Sequence, residues 1–399
     1  MVNDMKTLTP EWTQEIDRRR ESLVTLRRDF HRHPELSFEE QRTAGIIADR
    51  LHAAKLDVRT GVGRTGVVGV LRGDRPGRTI AWRADIDALP LIEALDAPFT
   101  SGTRGVMHAC GHDGHTAVAL TLAEILSARR AQMAGTAVFI FQPAEEVFGG
   151  AEPMIAAGVL DNPRVEEIYG LHLTTQTAVG KVDVKAGPSM ASADFFDVEV
   201  KGQGGHGAYP HLSMDPITAA ANILLGMQNL VSREISAHAP AVLTVGQFVG
   251  GTKHNIIPAS AVLRGSLRTF DEKVRAQIKQ RLRDYAAHMA RAYRTEAALS
   301  FQADGCPVVI NTDKESAFVH ACAAGELGAA ALADSPPVMA SDDMSLFLRA
   351  RPGCYFRVGI APGDDRPHPH HAPEFEMHEG GLPVGLRLGL TVMLNALGA

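Results

Sequence analysis

Thr136-Ala137-Val138-Phe139-Ile140-Phe141-Gln142-Pro143-Ala144-Glu145-Glu146 opens as a short apolar run without polar alternation, the pattern of a strand covered on both faces. Pro143 ends the ladder because it has no N–H to donate. Working back from this run, Thr116 to Arg129 has helical spacing, and Leu56 to Thr60, Gly66 to Leu71 and Thr79 to Arg83 read as strands between glycine-rich turns. Glu11 to Phe30 is a first helix, and Ser37-Phe38-Glu39-Glu40 reads as a capping box that opens a second. Working forward, Ile168 to Leu171 is another buried strand. Strands alternating with helices imply an α/β fold whose central sheet is flanked by helices.

The pattern changes after Gly187-Pro188. Phe195 to Lys201 alternates as a half-exposed strand, Asp215 to Ser232 is helical, Ala241 to Phe248 and Ala261 to Arg268 are strands, Asp271 to Tyr293 is a charged helix, and a strand lies near Ala297 to Gln302. This β-α-β-β-α-β order describes a ferredoxin-like α+β domain. Helix and strand alternation resumes near Thr312 and closes with a helix after Pro383. The expected organisation is a first catalytic part over 1–186, an inserted domain over 187–303 and a second catalytic part over 304–399.

Composition narrows the function. The chain has 399 residues, 45% of them hydrophobic and 22% charged, which suits a folded protein of two domains. A formal net charge of −6 supplies no basic field, so nucleic acid is not the expected partner, and a small molecule is. No apolar run approaches the roughly 20 residues that span a bilayer. Met1-Val2-Asn3-Asp4-Met5-Lys6 lacks the apolar core of a signal peptide, so the expected compartment is the cytoplasm. Four cysteines are too few and too scattered for a disulfide framework. Cys306, Cys322 and Cys354 read as small buried hydrophobes.

Cys110 differs through its neighbours. In Met107-His108-Ala109-Cys110-Gly111-His112-Asp113-Gly114-His115, a thiolate and an imidazole two residues apart can reach one metal ion, and the glycines let the backbone wrap close to it. Glu145 and Glu146 follow a strand, where one carboxylate can hold a metal while its neighbour moves protons. A solvated acidic loop is the bland alternative. His172 sits at another strand end and His371 near the other end of the domain, each a weak signal singly, whereas His368 and His370 read as ordinary satisfied histidines.

These stretches, with Arg32-His33-Pro34-Glu35, Arg83-Ala84-Asp85-Ile86-Asp87-Ala88-Leu89-Pro90, Gly205-His206-Gly207-Ala208-Tyr209-Pro210-His211 and His254-Asn255-Ile256-Ile257-Pro258, resemble the M20 metallopeptidases. The nearest branch is the amidohydrolases that include hippurate hydrolases, N-acetyl-amino-acid deacetylases and plant auxin-conjugate hydrolases. The resemblance runs from about His31 to Pro373. It implies a catalytic domain with a central mixed sheet, interrupted by a lid or dimerisation domain, and two divalent metal ions per subunit (Mn, Zn, Co or Ni). The metal ligands it implies are Cys110, His112, Glu146, His172 and His371, with Cys110 bridging. Glu145 is the implied general base and acid, and Asp87 steadies the metal site. His206 is the implied lid histidine, and Asn255 and Arg268 bind the substrate carboxylate. Without the resemblance, Asn255 reads as a turn former and Arg268 as a surface residue.

The implied reaction is hydrolysis of an N-acyl amino acid by a homodimer or homotetramer joined through the inserted domain. A dipeptidase or carboxypeptidase shares the same metal residues. A cysteine hydrolase using Cys110 with His108 or His112, and a metal-binding regulatory homologue, are the readings outside that chemistry. Where the branch often has Glu-Asp-Phe-Ser, this chain has Asp342-Asp343-Met344-Ser345, on a loop that commonly approaches the substrate.

Overall fold

The computed structural model describes residues 6–302, 305–363 and 368–398. Met1–Met5 of the N-terminal stretch, and the expected boundary between 303 and 304, lie outside them. The chain forms two compact units. One holds the chain through Gly187, Ile310–Pro336 and everything from Asp342 onward, and the other holds Pro188–Val309 with Pro337–Ser341.

The first unit is a mixed sheet of eight strands. Its order is Asp57–Val62, Gly66–Arg72, Ala134–Gln142, Arg75–Asp85, Glu167–Ala178, Gly353–Ala361, Val182–Asp183 and Leu332–Ala333. The four strands at its middle are mutually parallel and nearly continuous in buried apolar residues, as strands covered on both faces must be. Helices His112–Ala128 and Gly381–Leu397 are apolar on almost every side and correspondingly buried. Trp82 meets Phe356 edge to face, with ring centroids 6.1 Å apart, in the layer between sheet and helices. Because the central strands run the same way, Asp85 and Gln142 end side by side, and loops leaving those carboxyl ends can share a site.

The second unit is a four-stranded antiparallel sheet in the order Ala241–Gly250, Ser260–Thr269, Asp194–Lys201 and Glu296–Phe301. Phe196, Val198 and Val200 alternate inward and pack with Ile223, Met227, Ile278 and Leu282 of helices Pro216–Glu234 and Glu272–Ala292. Each helix is started by an aspartate that accepts two backbone N–H groups: Asp215 from Ile217 and Thr218, Asp271 from Lys273 and Val274. The ferredoxin-like expectation holds.

Three local expectations differ. The second unit reaches Val309, past the 303 expected, because Cys306 and Ala193 exchange backbone hydrogen bonds, and it gains 337–341 because Val338 accepts from Ala191 N–H. The last helix starts at Gly381, ahead of Pro383, since a proline in a first turn lacks only an N–H that has no helical partner anyway. The capping box does not form: the second helix is Gln41–Ala53, and Glu35 accepts from Arg42 and Thr43 N–H at its start. Ser37 and Glu40 bond elsewhere.

Candidate metal centre

Gly111 takes the left-handed conformation (φ 93°, ψ 10°) immediately before helix His112–Ala128, a turn that favours a residue without a Cβ. Cys110 and His112 flank it. His112 Nδ1 donates to the Asp87 carbonyl at 2.9 Å, which leaves Nε2 as the lone-pair nitrogen. That Nε2 lies 3.8 Å from Glu146 Oε1 and 3.9 Å from Glu145 Oε2. His172 is oriented in the same way, its Nδ1 donating to the Leu173 carbonyl at 2.7 Å and its Nε2 lying 3.6 Å from Cys110 Sγ. His371 has φ 61° and is tied to the Cys110 segment by its N–H on the Ala109 carbonyl; its Nε2 lies 3.4 Å from Glu146 Oε2.

Donor atoms of Cys110, His112 and His172 all lie within 4.8 Å of one another, as do those of Cys110, Glu146 and His371 and those of His112, Glu145 and Glu146. The five residues expected to hold metal therefore converge with Glu145. Among the described residues, His112 Nε2, Glu145 Oε1 and Glu146 Oε1 are buried without a hydrogen-bond partner. Buried polar atoms are rarely left so, and these three surround one space.

Electrostatics point the same way. Burial, then Glu146, pushes the Cys110 thiol well up. Burial followed by Asp342, Glu146 and Asp343 pushes Glu145 well up. Burial, opposed by His112 but helped by Asp87 and Asp85, pushes Glu146 up to about 8. Burial alone would lower His112, yet Asp85 and Cys110 raise it well above its ordinary value. Each shift draws a proton into a buried place crowded with negative charge. A divalent cation offsets the same charge, so thiolate, imidazole and carboxylate donors with orphaned lone pairs fit a metal.

The loop at 143–150 carries the two glutamates in an unusual backbone, with Ala144 at φ 52° and Phe148 at φ 51°. Its amides are held by buried carboxylates from distant parts of the chain. Ala144 N–H donates to Glu40 at 2.9 Å, Glu145 N–H to Asp87 Oδ1 at 3.1 Å and Glu146 N–H to Asp87 Oδ2 at 3.0 Å. Ser37 also donates to Asp87, at 2.7 Å. Burial would raise Asp87, but hydrogen bonds from His112 and Ser37 hold it below the usual carboxylate range. The loop closes on itself where Gly150 passes Pro143: a Cβ on Gly150 would stand 1.6 Å from the Pro143 carbonyl oxygen.

Behind the loop lies a buried ionic network to which the sequence reading assigned no role. Arg83 donates to Asp85 at 2.6 Å, to Gln142 at 2.8 Å and to Asp343 at 3.0 Å, and pairs with Asp342 at 3.1 Å. Asp85 in turn accepts from His115 Nδ1 at 2.7 Å, and His115 Nε2 accepts from Leu173 N–H, next to His172. Asp342 and Asp343, on the loop that the resemblance brings near the substrate, each have a carboxylate oxygen within 4.8 Å of one of Glu145. They are 1% and 0% exposed and face Arg83, because that buried guanidinium requires anionic partners. Glu40 was missed because it was read as half of a capping box. His370 Nε2 accepts from Thr175 N–H at 3.4 Å, while its Nδ1 is buried without a hydrogen-bond partner, so it is not the fully satisfied histidine expected. The cysteine-nucleophile reading loses ground, since a reactive thiol needs a lowered pKa and neither ring nitrogen of His108 has a hydrogen-bond partner.

In the second unit, His206 and Asn255 come together on an exposed two-stranded antiparallel ribbon: Ile256 pairs with His206, and Gly207 N–H donates to the Asn255 carbonyl at 2.9 Å. His206 Nδ1 accepts from Ala208 N–H at 3.0 Å, which assigns its ring proton to Nε2. Arg268 is half-buried in its strand, and one terminal nitrogen donates to the Met339 carbonyl at 2.8 Å and to Ser341 at 3.1 Å. Among the described residues, no helix is long and apolar enough to cross a membrane.

Comparison with known proteins places this geometry. Residues 81–395 match the model of peptidase family M20/M25/M40. The chain is 38% identical over 366 residues to the N-acetylcysteine deacetylase of Bacillus subtilis strain 168, covering 91% of this chain and 93% of that one. It is 36% identical over 367 residues to thermostable carboxypeptidase 2 of Saccharolobus solfataricus, covering 91% and 92%. Among solved structures, a dinuclear metal-binding M20 peptidase of Bacillus subtilis superposes with a TM-score of 0.81 at 33% identity, covering 96% of this chain and 99% of that one. With its buried thiol, imidazole and carboxylate donors gathered at the ends of parallel strands, the chain belongs to peptidase family M20/M25/M40 and is a metal-dependent hydrolase of amide bonds.

Proposed function

We propose that the protein hydrolyses the amide bond of an N-acyl amino acid, releasing a carboxylic acid and the amino acid, with two divalent ions held by Cys110, His112, Glu146, His172 and His371. The observation that carries this reading is the convergence of three orphaned buried atoms, on His112, Glu145 and Glu146, beside the Cys110 thiol. The donor groups overlap, with Cys110 and Glu146 each in two and His112 in three, so these residues would hold ions close to one another. When bound, the ions polarise the amide carbonyl and make water a better nucleophile.

Glu145 removes the proton of the attacking water and delivers it to the leaving nitrogen. Its Oε1 has no protein partner, and its raised proton affinity matches a group that must both take and give a proton near neutrality. Asp87 fixes Glu145 and Glu146 through their amides, so that each carboxylate can point its own way. His206 supplies an N–H to the oxyanion. Asn255 and Arg268 hold the carboxylate of the amino-acid half, for which a guanidinium offers a matching fork.

Borderline ions, Mn, Zn, Co or Ni, suit this donor set. Assembly into a homodimer or homotetramer through the inserted unit is supported by edge strand Ala241–Gly250, where Val242, Phe248 and Val249 are exposed. The similarity to a carboxypeptidase favours one second reading, a dipeptidase or carboxypeptidase with the same centre.

One experiment separates these. Protein stripped by chelator and checked by elemental analysis is reconstituted with each ion and assayed on N-acetyl, N-benzoyl and indoleacetyl amino acids beside dipeptides. Metal-dependent turnover led by the N-acyl amino acids is expected. Full activity without metal would overturn the mechanism, and preference for dipeptides would select the second reading.

A further inference from the structure

Asp343 stands at the start of helix Met344–Ala350, where an aspartate commonly caps its own helix. It does not. Asp342 accepts the Met344 N–H at 2.7 Å instead, and the Asp343 side chain turns away into the interior. There its Oδ1 accepts from Gln142 Nε2 at 2.7 Å and from Arg83 at 3.0 Å, while its Oδ2 accepts from Ala151 N–H at 3.2 Å. Gln142 is the last residue of the strand before the loop that carries Glu145, and Ala151 is the first residue of the helix after it.

We propose that Asp343 is a positioning residue for Glu145, one buried carboxylate gripping both ends of the 143–150 loop. The proposal rests on the assignment of Glu145 as the proton-transfer group. Asp87 and Glu40 hold the middle of the loop by its amides, and Asp343 holds the frame on which that middle is stretched. Three donors converge on two oxygens, so only a carboxylate satisfies them. An asparagine must aim its own NH2 either at the Ala151 N–H or at the Gln142 and Arg83 donors, and one end of the loop is then released. Arg83 keeps Asp85 and Asp342 as partners in either case.

The test uses the whole chain with Asp343→Asn, Gln142→Met and Glu145→Gln, read by kinetics, metal content and amide hydrogen exchange. In Asp343→Asn, kcat should fall about 10- to 100-fold, since small misplacements of a reacting group cost that much. KM and metal content should hold, as they do when only transition-state positioning is lost. Exchange at residues 144–151 of the metal-free protein should accelerate by about tenfold or more, with the central strands unchanged. Added to Glu145→Gln, the Asp343→Asn change should lower kcat no further, because it acts through Glu145. Gln142→Met cuts one grip and leaves Arg83 paired with Asp343, so it should act in the same direction but more weakly, and it decides the matter if Asp343→Asn does not fold. Unaltered loop exchange in a folded variant, or metal loss in step with kcat, overturns the proposal. Exchange is read without turnover, so a chain that hydrolyses nothing in the substrate panel would refute the proposed reaction while leaving the positioning result to stand or fall separately.

Discussion

The protein has two polar clusters of opposite character. Around Glu145, nearly every polar group is buried, and its neighbours fix it: Asp87, Glu40 and Asp343 take the loop amides, while Arg83, Asp85 and His115 take one another. Around His206 and Asn255 the side chains are exposed and the two strands are joined by backbone hydrogen bonds. Buried donors and acceptors must be satisfied, so each one restricts its neighbours to few arrangements. Exposed ones are satisfied by water and remain available to a ligand. The first cluster is therefore preorganised for chemistry and tied to a cation. Changes there should strike turnover, metal content or stability, whereas changes at His206, Asn255 and Arg268, the proposed substrate contacts, should strike binding.

The sharpest way to break this contrast lies within the first cluster. Glu145→Gln should cut kcat by at least about a hundredfold, as loss of an acid–base group typically does, with metal content kept. Glu146→Gln should lose metal. Elemental analysis showing equal metal in both variants would remove the division of labour between adjacent carboxylates.

Arg268→Ala tests the second unit. The kcat/KM for an N-acyl amino acid should fall roughly ten- to a hundredfold, in line with loss of a charged hydrogen bond, and that for the corresponding amide should hardly change. Equal losses on both substrates would assign Arg268 to holding Met339 and Ser341 in place.

A smaller effect should appear in stability. Glu146 is pushed up to about 8 and His112 is raised well above its ordinary value. In both cases the native, metal-free protein holds protons that the unfolded chain gives up, so its stability falls as pH rises from the ordinary glutamate range toward 8. Metal binding displaces those protons and gains strength over the same window. The difference in Tm between metal-loaded and metal-free protein should therefore widen from pH 5.5 to pH 8, and scanning calorimetry showing a constant difference would contradict the buried-charge account. The smallest effect is that of Ser37→Ala, which removes one donor from Asp87 and should cost about 1 kcal/mol in denaturant unfolding while sparing metal content.

The same contrast explains what the sequence made legible. The sheet and the inserted β-α-β-β-α-β unit were readable because periodicity leaves local marks, and Cys110, His112, Glu145 and Glu146 because ligand-type residues cluster there; the isolated His172 and His371 were named through the resemblance to the family. Glu40 and Asp343 leave none: each stands beside another acid, far in sequence from the loop it holds, and its role depends on which amide the fold brings to it. Ser37 and Glu40 misled because Ser-x-x-Glu has a valid local use, which tertiary hydrogen bonds overrode. For Asp342 and Asp343 the resemblance named only a loop near the substrate, and only the fold reveals a fully buried arginine opposite them.

The pinch between Gly150 and the Pro143 carbonyl sets a limit on how this enzyme can be altered. A ring of residues closed so tightly cannot gain or lose a member without opening, and side chains larger than hydrogen are shut out of its neck. For anyone diversifying the protein toward new substrates, the segment from Pro143 to Gly150 is poor ground for insertions or random libraries. The exposed two-stranded ribbon around His206 and Asn255, whose side chains face water, can absorb change at far lower cost to folding, and variation directed there leaves the proton-transfer machinery intact.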